Sequence, residues 1–96
     1  MTDDKLNTAM VRGSRAQALL RDELLQESLA TLERDYIEAW KTSSARDTDG
    51  RERLWQAVNV VGKVRDHLVK VANDGKLATA QIEQLVAADK ARQGRK

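Results

Sequence analysis

The chain has 96 residues, room for one domain at most, and a length that buries only a limited share of its surface. Hydrophobic residues make up 41% and charged residues 33%, a balance that excludes a disordered chain and fits a well-solvated helical one. Absence of cysteine excludes disulfides, thiolate metal sites and cysteine nucleophiles together. The net charge of +2 is terminal: from Asp89 onward, Lys90, Arg92, Arg95 and Lys96 give a local +3, leaving the remainder at −1.

Tyr36, Trp40 and Trp55 are the only aromatics, so a core must be built from Leu, Val, Ile and Ala, which suits a thin bundle. There is no proline to break a helix, and breaks fall to Gly, Asn, Asp and Ser. No apolar run is long enough to span a bilayer, and the polar start Met1-Thr2-Asp3-Asp4-Lys5 does not read as a signal peptide. The expected location is the cytoplasm, without membrane contact.

Residues 1–13 lack a clean period and read as a flexible arm. Ser14 is a suitable N-cap, and a helix is predicted over about 15–42. Leu25, Leu29, Leu32, Tyr36 and Ala39 recur at spacings of 4, 3, 4 and 3 along it, with Trp40 at its end. Twenty-eight residues make a rod of roughly 42 Å. Residues 42–50 form a polar connector, and Asp49 with Glu52 resembles a capping box. A second helix is predicted over about 50–72, with Leu54, Ala57, Val61, Val64, Leu68 and Val71 as its stripe. Gly62 within it reads as a tolerated surface glycine or as the seat of a close helix contact. Asn73-Asp74-Gly75 reads as a helix stop. A third, shorter helix is predicted over about 77–91, and 92–96 is a basic tail.

A short connector between two long helices makes them antiparallel neighbours. The expected fold is therefore all-α: a long antiparallel helical hairpin plus a short C-terminal third helix, in a single helical domain over 14–91. Trp40 and Trp55 fall near the same hairpin tip and are expected to clamp it.

No residue pattern carries catalysis. Asp47-Thr48-Asp49-Gly50 looks like the centre of a calcium loop, but the aligned first and twelfth positions are Ala45 and Gln56, so a capping loop is expected. His67, the single histidine, has Asp66, Lys63 and Lys70 nearby but no nucleophile. No phosphate loop or dinucleotide fingerprint is present. The expectation is a non-enzyme with no cofactor and no metal.

Helix-mediated association is the activity the pattern favours. The seam candidates are Leu25, Leu29, Leu32, Tyr36, Trp40, Leu54, Trp55, Val61, Val64, Leu68 and Val71, and two helices alone cover only one side of each stripe. A homo-oligomer is expected. The alternatives are a nucleic-acid-binding module using Arg12, Arg15, Arg51, Arg53, Arg92, Arg95 and Lys96 against phosphates, and a small inhibitor docking on a host protein.

Three stretches, Leu32-Glu33-Arg34-Asp35-Tyr36-Ile37-Glu38-Ala39-Trp40, Arg46-Asp47-Thr48-Asp49-Gly50-Arg51-Glu52-Arg53-Leu54-Trp55 and Gly75-Lys76-Leu77-Ala78, carry a resemblance over roughly residues 15–85. The chain resembles small all-helical phage and prophage proteins of alphaproteobacteria. That resemblance implies particle assembly or DNA packaging, as in small terminase subunits, which oligomerise from long helical hairpins. The DNA-binding helix-turn-helix such subunits usually carry is not visible here.

Overall fold

The structure, a computed structural model, describes residues 3–94. Among these residues every regular element is an α-helix: α1 spans Asp3–Arg21, α2 spans Glu23–Thr42 and α3 spans Thr48–Gln93. The all-α class agrees with the periodicity. The helix boundaries depart from it at three places, each for a local physical reason.

The first departure is at Asp22. The predicted arm is helical from Asp3, and the helix expected over 15–42 is divided between α1 and α2. Ser14 lies inside α1 and is not a cap. Asp22 instead takes an extended conformation (φ −70°, ψ 116°), and its carboxylate accepts from the Leu25 N–H at 2.8 Å. Its own N–H still donates to the Leu19 carbonyl at 3.1 Å, and its carbonyl accepts from Gln26 N–H at 3.0 Å. The side chain thus satisfies an orphan donor of the new helix where the backbone ladder is interrupted. Asp3 and Asp4 in the first turn of α1 and Arg21 in its last suit the helix dipole.

The second departure is at Gly75. The predicted stop at 73–75 is continuous helix, and the separate third helix over 77–91 is the second half of a 46-residue α3. No glycine among the described residues has positive φ, so Gly75 does not supply a left-handed cap. It supplies room. A Cβ built on Gly75 would meet the Gly13 Cα at 2.5 Å, and one on Gly13 would meet the Gly75 Cα at the same distance. Two backbones touch here, which only glycine permits.

The third departure is the cap of α3. The expected capping residue was Asp49; Asp47 does the work, accepting from the Gly50 N–H at 3.0 Å. The preceding turn is closed by the Asp47 N–H donating to the Ser44 carbonyl at 3.0 Å and the Arg46 N–H donating to Ser44 Oγ at 3.2 Å.

By its internal contacts the chain divides into two compact units. One consists of α1 up to Ala18 with α3 from Val69 onward. Its buried residues are nearly all small: Gly13 and Ala16 from α1, Ala72, Gly75 and Ala78 from α3, with Leu6 as the exception. Small residues allow the close approach that the glycine pair requires. The other unit, Leu19–Leu68, pairs α2 with the first half of α3 in antiparallel sense across the 43–47 turn. Its buried centre is Leu29 on α2 and Val61 on α3.

Candidate association surface

The tip of the α2–α3 hairpin is held by one arginine. Arg51, in the first turns of α3, places its guanidinium carbon 4.2 Å from the centroid of the Trp40 ring. Its Nη1 donates to the Trp40 carbonyl at 3.1 Å and to Ser43 Oγ at 2.9 Å. Ser43 in turn donates to that same Trp40 carbonyl through both its backbone N–H (3.3 Å) and its hydroxyl (2.6 Å). The last carbonyls of α2 lack helical partners, and a cation at that end suits the dipole as well. The expected two-indole clamp is therefore a tryptophan–arginine clamp: its contacts are those of Arg51 with Trp40 and Ser43, while Trp55 is 56% exposed.

Further from the tip, Arg65 Nη1 lies 3.2 Å from Glu33 Oε2, joining α3 to α2. This pair fixes which sides of the two helices share a flank. At 3.6 residues per turn, positions i+4 and i−3 fall to one side of a buried residue and i+3 and i−4 to the other. Glu33 is i+4 from Leu29, and Arg65 is i+4 from Val61, so one flank of the antiparallel hairpin is the ion-pair flank. It carries the charges. Two open grooves of about 440 and 380 Å³ lie along it, lined by Asp66, Lys63 and Glu38 together with Val58, Ala30 and Ile37.

The opposite flank collects the i+3 and i−4 positions: Leu32 and Leu25 on α2, Val64 and Ala57 on α3, with Val60 beside them. It is apolar. Leu25 and Ala57 are half-buried, while Leu32, Val64 and Val60 are 44%, 44% and 57% exposed. The sequence placed Leu32 and Val64 in covered seams; they stand at the seam's open edge.

The remaining seam candidates follow the same division. Leu29 and Val61 are buried; Tyr36, Leu54 and Leu68 are half-buried within the hairpin unit, and Trp40 is partly exposed at its tip. Val71 is half-buried in the other unit. Among the described residues only six apolar side chains are buried, against twelve large ones that are exposed. For a chain this size, twelve large apolar groups in water is the pattern of a surface awaiting cover.

The basic candidates for phosphate contact are divided between the two units. Arg12 and Arg15 are exposed on α1, and Arg92 is 3.1 Å from Asp89; these belong to one unit. Arg53 is exposed in the other unit, where Arg51 is committed to Trp40 and Ser43. Arg95 and Lys96 lie outside the described residues. His67 is exposed, and Asp47 spends its carboxylate on the Gly50 N–H. Among the described residues no three His, Asp or Glu side chains gather in a way that could hold a metal ion, and no helix is long and apolar enough to cross a membrane.

Sequence reasoning passed over Asp22, Asp47 and the glycine pair. A signal for the last existed: Ala9, Gly13 and Ala16 on one helix, with Ala72, Gly75 and Ala78 on another, are small residues at helical spacing. Comparison with known proteins finds no family, no characterised protein and no solved structure that this chain matches.

Proposed function

We propose that this chain is a non-enzymatic helical assembly protein of phage type, a small-terminase-like subunit or structural adaptor. In this reading it acts in particle assembly or DNA packaging by oligomerising through its helix faces. The observation that carries the association part is the exposure of twelve large apolar side chains against a buried set of six. The phage setting is supported by the residue resemblance over 15–85.

Size exclusion with light scattering tests the association. At tens of micromolar the expected mass is a multiple of 10.8 kDa. A 10.8 kDa species at every concentration overturns it. The setting is tested by the flanking genes: a large terminase or portal gene beside this one is the expected result, and a metabolic operon the contrary one.

A further inference from the structure

We infer that the apolar flank of the α2–α3 hairpin, bearing Leu32, Val60 and Val64, seats a second copy of this chain. The inference rests on the self-association reading above and deepens it by naming the surface and its occupant.

The choice of flank follows from contrast. The ion-pair side sets the charges of Glu33, Arg65 and Asp66 around open grooves whose floor includes half-buried Val58. The other side presents branched aliphatic groups that continue outward from half-buried Leu25 and Ala57. Helices laid there would add apolar layers to a core that now consists of Leu29 and Val61. A charged or polar partner gains nothing from this strip, whereas an aliphatic strip complements itself.

Area sets the occupant. The chain exposes 7679 Å². Two compact bodies of half its mass would together expose about 6,700 Å² by the usual scaling of surface with mass. Each chain therefore shows a surplus of roughly 1,000 Å². Two copies covering that surplus on each other bury about 2,000 Å² in total, the size of a stable specific interface.

Shape agrees with a two-fold arrangement. The Glu33–Arg65 pair closes one flank of the hairpin and leaves Leu32, Val60 and Val64 together on the other. A two-fold axis parallel to the helices brings α2 of one copy against α3 of the other. The strip of α2 that bears Leu32 then lies against the strip of α3 that bears Val60 and Val64 of its mate, and every helix has antiparallel neighbours. The result is a four-helix bundle with this flank as its centre.

Light scattering of variants tests the surface. Val60→Glu/Val64→Glu places two charges on the flank at positions already half in water, and the expected mass falls to 10.8 kDa. Asn59→Glu/Lys63→Glu places charges on the exposed outer side of α3, and the wild-type mass is retained. An unchanged mass for the Val60/Val64 variant overturns the inference while leaving self-association standing. A wild-type protein that is already monomeric overturns both. A second readout does not depend on the charged variant folding. The chain has no cysteine, so Val60→Cys introduces a single thiol. Its maleimide labelling is expected to slow severalfold as protein concentration rises, while Asn59→Cys labels at a constant rate. Equal behaviour of the two thiols also overturns the inference.

Discussion

The guanidinium of Arg51 stacks on the indole of Trp40 and, through Nη1, donates to the carbonyl of that same residue at 3.1 Å. One side chain from the start of α3 thus serves both the ring and the backbone at the end of α2. Arg51→Ala removes a cation–π contact and a charged donor to the Trp40 carbonyl and to Ser43 Oγ. The expected loss is about 1–2 kcal/mol, read by urea denaturation. Arg51→Lys keeps the charge but not the planar donor fork, and it is expected to recover less than half of that loss. Quantitative rescue by lysine would reduce the clamp to simple charge.

Three glycines in two kinds of surroundings make a paired prediction of opposite sign. Gly13→Ala or Gly75→Ala puts a Cβ 2.5 Å from the partner's Cα, and backbone cannot rotate away. Each is expected to cost more than about 2 kcal/mol, despite a gain of about 1 kcal/mol in helix propensity. Gly62 has nothing within 4 Å of its Cβ position, and Gly62→Ala is expected to stabilise by about 0.4–1 kcal/mol. Thermal melts of the three variants, at equal protein concentration, give the signs directly.

Two aspartates start helices and one neighbouring acid does not. Asp22→Ala and Asp47→Ala each remove an acceptor from an N-terminal N–H, at an expected cost of about 0.5–2 kcal/mol. Asn at either position should retain most of the cap. Asp49→Ala, one residue inside α3, is expected to change stability by no more than a few tenths of a kcal/mol, the value of a carboxylate in the first turn. Circular dichroism during denaturation ranks all three, and an Asp49 effect equal to that of Asp47 would contradict the assignment.

The Glu33–Arg65 pair is partly open to solvent, with about a third of each side chain exposed. A double-mutant cycle to alanine is expected to give a coupling of about 0.5–1 kcal/mol that shrinks as salt is added. Its larger role is positional: it holds α2 and α3 in the register that sends Leu32 and Val64 to the same flank. A salt-insensitive coupling would point to packing of the arginine stem instead.

Much of the all-helical character was legible in the sequence, because Leu25, Leu29, Leu32 and Tyr36 on one segment and Leu54, Val61, Val64 and Leu68 on another keep helical spacing without a proline between them. Asp22 was hidden because the apolar positions Leu20, Leu24 and Leu25 run on across it, so the stripe shows no gap where the backbone breaks. Gly75 misled for a different reason. Asn-Asp-Gly is the composition of a helix stop, and only contact with Gly13 turns the glycine into a packing device; that contact is invisible to local pattern. The apolar flank was half legible: its residues stood in the predicted stripes, but which edge stays open is decided by the side on which Glu33 meets Arg65.

The contact between Gly13 and Gly75 also has a consequence in time. Closing it joins positions some sixty residues apart, whereas the 43–47 turn brings α2 and α3 together at once. As the chain is synthesised, α1 leaves the ribosome before α2 and α3, yet the backbone it packs against is made only after the hairpin's share of α3. Helix α1 therefore waits for its partner while the hairpin is assembled.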